Sequence, residues 1–318
     1  MARMENARKY IDASITAFPD CLECPHEHHK TDKDDLCAVA MSTDGLPVRC
    51  VGKWASQKIY YLLQYFQIFT EAMKDKWAGN IRYIEVCSGP GRCCTRDKHE
   101  QDGTALAVLK HPLFRHHKHA LFFDFSENVI TTLSRRIDAL GLSQRAHAIL
   151  GDFNKPDTIT SAMRYYGAGC LTLCLIDPTE CNLPFETVRQ IYEASGRKCD
   201  FIISFFEQND FNRNGCDAVT NPSFIRARKK YSEFLGDYNF VRRSDVRELG
   251  RQRKNQELSA LFRECYASQL AGLGLKFHDW KTIGQYYRLL YATANEKGID
   301  FWKKCCKVDF TQQMELGI

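Results

Sequence analysis

The chain has 318 residues and 44% apolar side chains, enough to bury a full core in one large domain or one domain with additions. Its 44 Lys and Arg against 39 Asp and Glu leave a net charge of +5, which permits a polyanionic partner without demanding one. No apolar run approaches the roughly 20 residues that cross a bilayer, and the opening MARMENARKYIDASITAF lacks an apolar signal core, so a cytoplasmic protein without a membrane partner is expected. In that compartment the 15 cysteines are expected to be reduced, which favours metal binding or simple use as small apolar residues over a disulfide framework.

In chain order, residues 3–18 read as a short amphipathic helix with Ala7, Ile11 and Ile15 at helical spacing. Residues 19–50 hold few large apolar side chains and a knot of Cys and His. Trp54–Met73 is helical again. Strands and helices then alternate: strand Ile81–Cys87, a long loop, helix Thr104–Lys110, strand Ala120–Asp124, and a helix capped by Ser126 and stopped at Gly141. Strand Ala146–Leu150 follows, then a helix near Thr158–Tyr166, strand Leu171–Ile176, helix Pro184–Ala194 and strand Phe201–Phe206. Five apolar strands separated by helices imply a parallel sheet covered on both faces. Leu275–Lys281 and Gln285–Thr293 are strands with only a short turn between them, so they must pair antiparallel. The expected fold is α/β: a seven-stranded, mostly parallel sheet with a terminal antiparallel hairpin. A small N-terminal Cys/His module over 1–50 precedes the main domain over 51–318, which carries a largely helical insertion over about 210–270.

Ligands of open α/β sheets bind beyond the carboxyl ends of the strands. There the sequence places Glu85 and Cys87-Ser88-Gly89-Pro90-Gly91, then Asp124-Phe125, Asp152-Phe153 and Asp177-Pro178. A dinucleotide fingerprint would need a third glycine and a prompt helix start, and a pyrophosphate sits poorly beside acids at 85, 124, 152 and 177. A cationic, adenosine-bearing ligand fits better: carboxylates can bond ribose hydroxyls and an adenine amine, and their field suits a sulfonium. S-adenosylmethionine meets that description.

These pieces, taken in order, resemble the class I S-adenosylmethionine-dependent methyltransferases of Rossmann-like fold. More narrowly, the chain looks like the three-Cys-motif partner protein (TcmP) family over roughly 48–306. The resemblance rests on VGKW at 51–54, YIEVCSGPGR, Gly103-Thr104, FFDFSENV, GDFN, LIDPTECNLPFETV, FNRN and YYRLLYATANEKGIDFW. It implies a methyltransferase in which Gly89 and Gly91 let the backbone approach the methionine and ribose, with Cys87, Ser88 and Pro90 completing that turn. Glu85 would lie near the amino end, Asp124 and Phe125 at the ribose, Asp152 and Phe153 around the adenine, and Asp177 and Pro178 at the methyl group. Asp177 is the best-placed candidate for a catalytic base, or else a cap for the next helix. The sequence Asp-Pro-Thr-Glu departs from the D-P-P-[YF] of enzymes that methylate exocyclic base amines, so the acceptor stays open, with nucleic acid slightly favoured over peptide or small molecule. The same departure motivates an alternative: a non-catalytic binding partner of a three-Cys-motif iron–sulfur protein, the neighbour that the family name implies.

Two further stretches carry expectations. Cys21-x2-Cys24 with Cys37 and Cys50 reads as a structural zinc site, completed by a hairpin about Asp44-Gly45 that sets Val39 opposite Cys50 and Cys37 diagonal to it; His26, His28 or His29 could replace one ligand. Within 224–254, ten Lys and Arg against four acids, interleaved with Phe224, Tyr231, Phe234, Tyr238 and Phe240, suggest a nucleic-acid surface.

Overall fold

The computed structural model describes residues 7–18, 31–95, 99–308 and 310. Its main sheet has seven strands: β3 (Ile81–Val86), β6 (His119–Asp124), β7 (Ala146–Leu150), β8 (Leu171–Ile176), β9 (Cys199–Phe205), β10 (Phe277–Ile283) and β11 (Tyr287–Thr293). They lie in the order β10-β11-β9-β8-β3-β6-β7, and β11 alone among them runs against its neighbours. This is the seven-stranded arrangement expected for a Rossmann-like methyltransferase fold. The chain winds outward from β3 in one direction through β6 and β7, and in the other through β8 and β9, so the switch point lies at β3.

The strands form where they do because both faces of the sheet are covered. Every residue of β3 is buried, and β8 and β6 are buried except at their first positions. Such strands read as continuous apolar runs rather than alternating ones. One face packs on α2 (Trp54–Met73), α3 (Thr104–Leu109), α4 (Glu127–Ala139) and α11 (Glu296–Cys306), with Leu62, Phe66, Leu106, Leu133 and Trp302 in a common cluster. The other packs on α5 (Asp157–Tyr165), α6 (Phe185–Ala194) and the insertion helices α7 (Asn212–Thr220), α8 (Ile225–Leu235), α9 (Ser244–Arg251) and α10 (Asn255–Leu273). Ser126 caps α4 as expected, accepting from the Val129 N–H at 3.3 Å, and Gly141 follows its end at φ +67°. Buried Arg82 on β3 is compensated locally, donating to the Met163 and Gly167 carbonyls and to Thr172 Oγ1.

The structure departs from expectation at the N-terminal side. The first helix is only α1 (Arg8–Asp12). The stretch read as a long loop after β3 instead holds two short strands, β4 (Arg92–Thr95) and β5 (His99–Asp102), paired antiparallel. They form a second sheet with β1 (Thr16–Ala17) and β2 (Arg49–Val51), in the order β1-β5-β4-β2. The terminal turn also moves by two residues: Ile283 still pairs with Tyr287, so residues 284–286 make the turn.

The small sheet is fixed to the large one through Arg136 of α4. Its guanidinium grips Asp44 with two bonds of 2.8 and 2.9 Å, and donates to the carbonyls of Pro47 at 2.9 Å and Pro90 at 2.6 Å. Burial pushes the Asp44 carboxyl up, but hydrogen bonding and the charge of Arg136 outweigh it and hold the group below its ordinary value. Arg136→Met would take a donor from each of three buried or half-buried acceptors, and Asp44 would keep only local ones such as the Leu46 N–H. Unsatisfied buried groups of this kind cost about 1–3 kcal/mol each, partly relieved by water at the exposed edge. Urea unfolding should therefore show a loss of about 2–4 kcal/mol, and a loss below 1 kcal/mol would mean that the two sheets are joined mainly by other contacts.

Candidate functional site

The glycine-bearing turn leaves β3 with three residues in the left-handed region: Cys87 at φ +66°, Gly89 at +64° and Gly91 at +94°. For Cys87 this costs on the order of 1–2 kcal/mol, the kind of strain found where a fold over-determines a functional turn. The turn is not an open phosphate cradle. The Ser88 N–H donates to the Phe123 carbonyl at 3.0 Å and the Gly89 N–H to Asp124 Oδ2 at 3.1 Å, so two of its amides are already used. Asp124 also accepts from the Ser126 N–H at 3.2 Å, which ties the end of β6 to the end of β3.

The two glycines have different reasons to be glycine. A Cβ on Gly91 would come within 2.9 Å of Leu133 Cδ1 and 3.1 Å of Leu106 Cγ, so its missing side chain serves helix packing beneath the turn rather than approach to a ligand. A Cβ on Gly89 would meet only the Arg49 guanidinium, at 3.3 Å. Gly89 thus faces the open side of the turn, and Arg49, anchored near Asp34 and Asp35, lies over it. Beside it, Ser88 Oγ is buried and has no hydrogen-bond partner.

Glu85 is fully buried and accepts from the Tyr83 hydroxyl at 2.9 Å and from Thr104 Oγ1. It therefore sits beneath the turn, between β3 and the start of α3. Burial, far more than any neighbouring charge, drives its carboxyl up to about 8.

Asp177, at the end of β8, is held from two sides. Lys58 of α2 forms an ion pair with Oδ2, and Ser204 of β9 donates to Oδ1. Its side chain is 14% exposed. Pro178 after it is buried. Sequence reading placed Asp177 at this edge but missed both partners; Lys58 lies 119 positions away. The only signal was a lysine on the helix preceding the first central strand. Phe125 is 63% exposed beside this edge. Asp152 turns back on its own loop, accepting from the Asn154 N–H and side-chain amide, while Phe153 packs against the core behind it. The structure thus gathers the Cys87–Gly91 turn, Asp124 and Asp177 along one edge, with Asp152 and Phe153 at the next strand end.

The other expected features fare unevenly. Cys21 and Cys24 lie outside the described residues, as do His26, His28 and His29. Cys37 and Cys50 pack on a common small cluster with Phe18, Ala40, Val48 and Cys94. The Asp44-Gly45 turn exists, with Met41 bridged to Pro47, but its register is not the one expected: the Cys37 N–H reaches the Val48 carbonyl at 2.8 Å, and Cys50 pairs alongside Cys94. Among the described residues there is no cluster of three or more His, Cys, Asp or Glu that could hold a metal. In the insertion, Tyr231, Phe234 and Phe240 are core residues and Phe224 is half-buried, which leaves Tyr238, 60% exposed, as the aromatic open for stacking. No helix among the described residues is long and apolar enough to cross a membrane.

No family model matches the chain, and no curated protein does. Solved structures of similar arrangement include a methyltransferase from Podospora anserina with S-adenosylhomocysteine bound, at 12% identity and TM-score 0.35, over 72% of this chain and 78% of that one. Another is the magnesium protoporphyrin IX methyltransferase of Synechocystis PCC 6803, also with S-adenosylhomocysteine, at 10% identity and TM-score 0.33, over 76% and 87%. Likeness at this level concerns the fold, and the reading of the site rests on its own geometry.

Glu85 makes a pH signature. Its folded-state pKa is raised, so between its unfolded value of 4.5 and about 8 the folded chain keeps a proton that the unfolded chain has lost. Stability is then lost as pH rises through that window, with a limiting slope of about 1.4 kcal/mol per unit. Glu85→Gln removes this contribution, so its stability relative to the unmodified chain should climb from pH 5 to pH 8 in urea titrations. A flat difference would show that Glu85 ionises freely in the fold.

Proposed function

We propose that the protein is an S-adenosylmethionine-dependent methyltransferase. One observation carries the reading: at the topological switch point, the glycine turn with its open Gly89 face meets Asp124 on one neighbouring strand and Asp177 on the other. The residues suit the ligand. Ser88 Oγ is a buried hydroxyl still lacking a partner, the Arg49 side chain lies over Gly89, Asp124 Oδ2 accepts from the Gly89 N–H, and the Asp177 N–H donates back to β3 at the Val86 carbonyl. Asp124 would take the ribose hydroxyls with the acceptor capacity its two backbone bonds leave. Asp177 would face the methyl end, with Asp152 and Phe153 toward the adenine.

S-adenosylmethionine supplies a methyl carbon activated by a positive sulfur. In the transfer a lone pair of the acceptor forms the new bond to that carbon, and the carbon–sulfur pair leaves on sulfur. The protein's contribution is chiefly alignment, which can lower a barrier by several kcal/mol. Lys58 and Ser204 hold the Asp177 carboxyl in a set orientation, which suits guidance of an acceptor hydrogen at that atom. The same clamp favours a second reading, a binding module without transfer, because a carboxylate so engaged is a poor free base. Membership of the three-Cys-motif partner family is part of the proposal and rests on the ordered motifs, as does an iron–sulfur partner, while a nucleic-acid acceptor rests on the basic stretch 224–254.

Calorimetry should show S-adenosylmethionine binding in the micromolar range. Gly89→Ala should weaken it at least tenfold while costing only about 1 kcal/mol of stability through its positive φ. Absence of binding by the intact protein would sink the proposal. Binding without labelled-methyl transfer to nucleic acid, peptide or lysate pools would select the module.

Zinc at Cys21, Cys24, Cys37 and Cys50 is a separate proposal, supported by the shared cluster around Cys37 and Cys50. Metal analysis of the purified protein should find about one zinc per chain, reduced in Cys37→Ser. Metal-free protein with an unchanged melting temperature is the contrary result.

A further inference from the structure

Beyond β9 the chain makes a single π-helical turn, Glu207–Phe211, at the same sheet edge as Asp177. Such turns are rare and concentrate at functional sites. Glu207 is completely buried, and two arginines converge on its Oε1: Arg288 Nε at 2.7 Å from β11, and Arg263 Nη1 at 3.0 Å from α10. Glu207 Oε2 has no partner. One carboxylate needs one cation, so the triad carries a surplus positive charge. Among the described residues no second carboxylate lies within ion-pair distance of either arginine. Both arginine side chains remain about a quarter exposed, at 25% and 26%. Arg288 spends Nη1 on Thr282 Oγ1 at 2.7 Å, which leaves guanidinium N–H groups of both residues for another acceptor.

The position matters as much as the charge. Arg288 stands opposite Phe205 and faces the insertion side of β9 and β11, whereas Ser204, which holds Asp177, faces the α2 side, so the two groups share the carboxyl end of β9 rather than one face of the sheet. Phe206, at that end of β9, stacks on Tyr287 at 4.5 Å. Two like charges on one buried carboxylate leave a net positive charge that a further anion would balance, and arginine forks suit the planar or tetrahedral oxygens of carboxylate and phosphate.

We propose that Arg263 and Arg288, braced by Glu207, bind an anionic group, carboxylate or phosphate, of the methyl acceptor. The anion subsite stands on its own geometry; its assignment to an acceptor rests on the methyltransferase reading above. The test uses inorganic phosphate and acetate as separate titrants on the full chain, with S-adenosylmethionine affinity measured in parallel. Phosphate or acetate should bind the unmodified protein, and whichever binds tighter identifies the oxyanion. Arg263→Gln should weaken it at least tenfold and leave S-adenosylmethionine affinity within twofold. Glu207→Gln, isosteric and one negative charge fewer, should strengthen it severalfold, an opposite shift that a merely damaged fold would not give. Equal anion affinity in all three proteins, or no anion binding to the unmodified chain, would overturn the subsite. Anion binding with no S-adenosylmethionine binding would keep the subsite and reject only the reading it was attached to.

Discussion

Arg136 is the constraint from which the rest of the site is built. It is a buried cation on the first turn-facing helix of the sheet, and it has one carboxylate and a set of backbone carbonyls to satisfy it. A guanidinium can meet that many acceptors only in one orientation, because its donors form a rigid fork. Its geometry therefore fixes three things together: the Asp44-Gly45 turn, the Pro47 strand approach, and the Pro90 corner of the glycine turn. Move any one and a buried polar group is stranded.

From that anchor the charge arrangement at the strand ends follows. Acids come from the ends of β3, β6 and β8, and each is handled differently. Glu85 is buried and kept uncharged at moderate pH. Asp124 accepts from two backbone amides, those of Gly89 and Ser126. Asp177 is matched to Lys58. The edge is thus less negative than a count of its acids suggests, and its usable polarity lies in particular atoms rather than in a bulk field. On the insertion side of β9 and β11 the sign reverses, with two arginines over one carboxylate.

The central sheet was legible because strands buried on both faces write themselves as unbroken apolar runs such as LTLCLI and ALFF, separated by helices with clean caps. Strands β4 and β5 were not, because RCCT and HEQD carry no apolar alternation. Their stability comes from polar pairing: Glu100, fully buried, accepts from Thr16, Thr43 and Arg92, residues far apart in the chain. The same holds at the site. The positions of Asp124 and Asp177 follow from strand ends, a local signal, whereas Lys58, Ser204 and Arg263 reach their carboxylate partners only through contacts distant in sequence. Gly91 shows a subtler limit: a glycine in a suggestive turn can be required by the packing below it, and sequence does not say which face of the turn is crowded. The aromatics of the insertion made the opposite trap, since helical spacing that interleaves them with cations also points them inward.

The small sheet has a consequence for the order of assembly. Its four strands come from three well-separated parts of the chain, and Thr16 meets Glu100 across 84 positions. Long loops must be closed before any of these pairings gives stabilisation, so such contacts form slowly compared with helices and neighbouring strands. The central sheet carries closures just as long, since Arg82 of β3 meets Thr172 of β8 across 90 positions. The two sheets are therefore expected to assemble as one unit, because the Arg136 clamp is satisfied only when the Asp44 carboxylate and the Pro90 carbonyl are both in place.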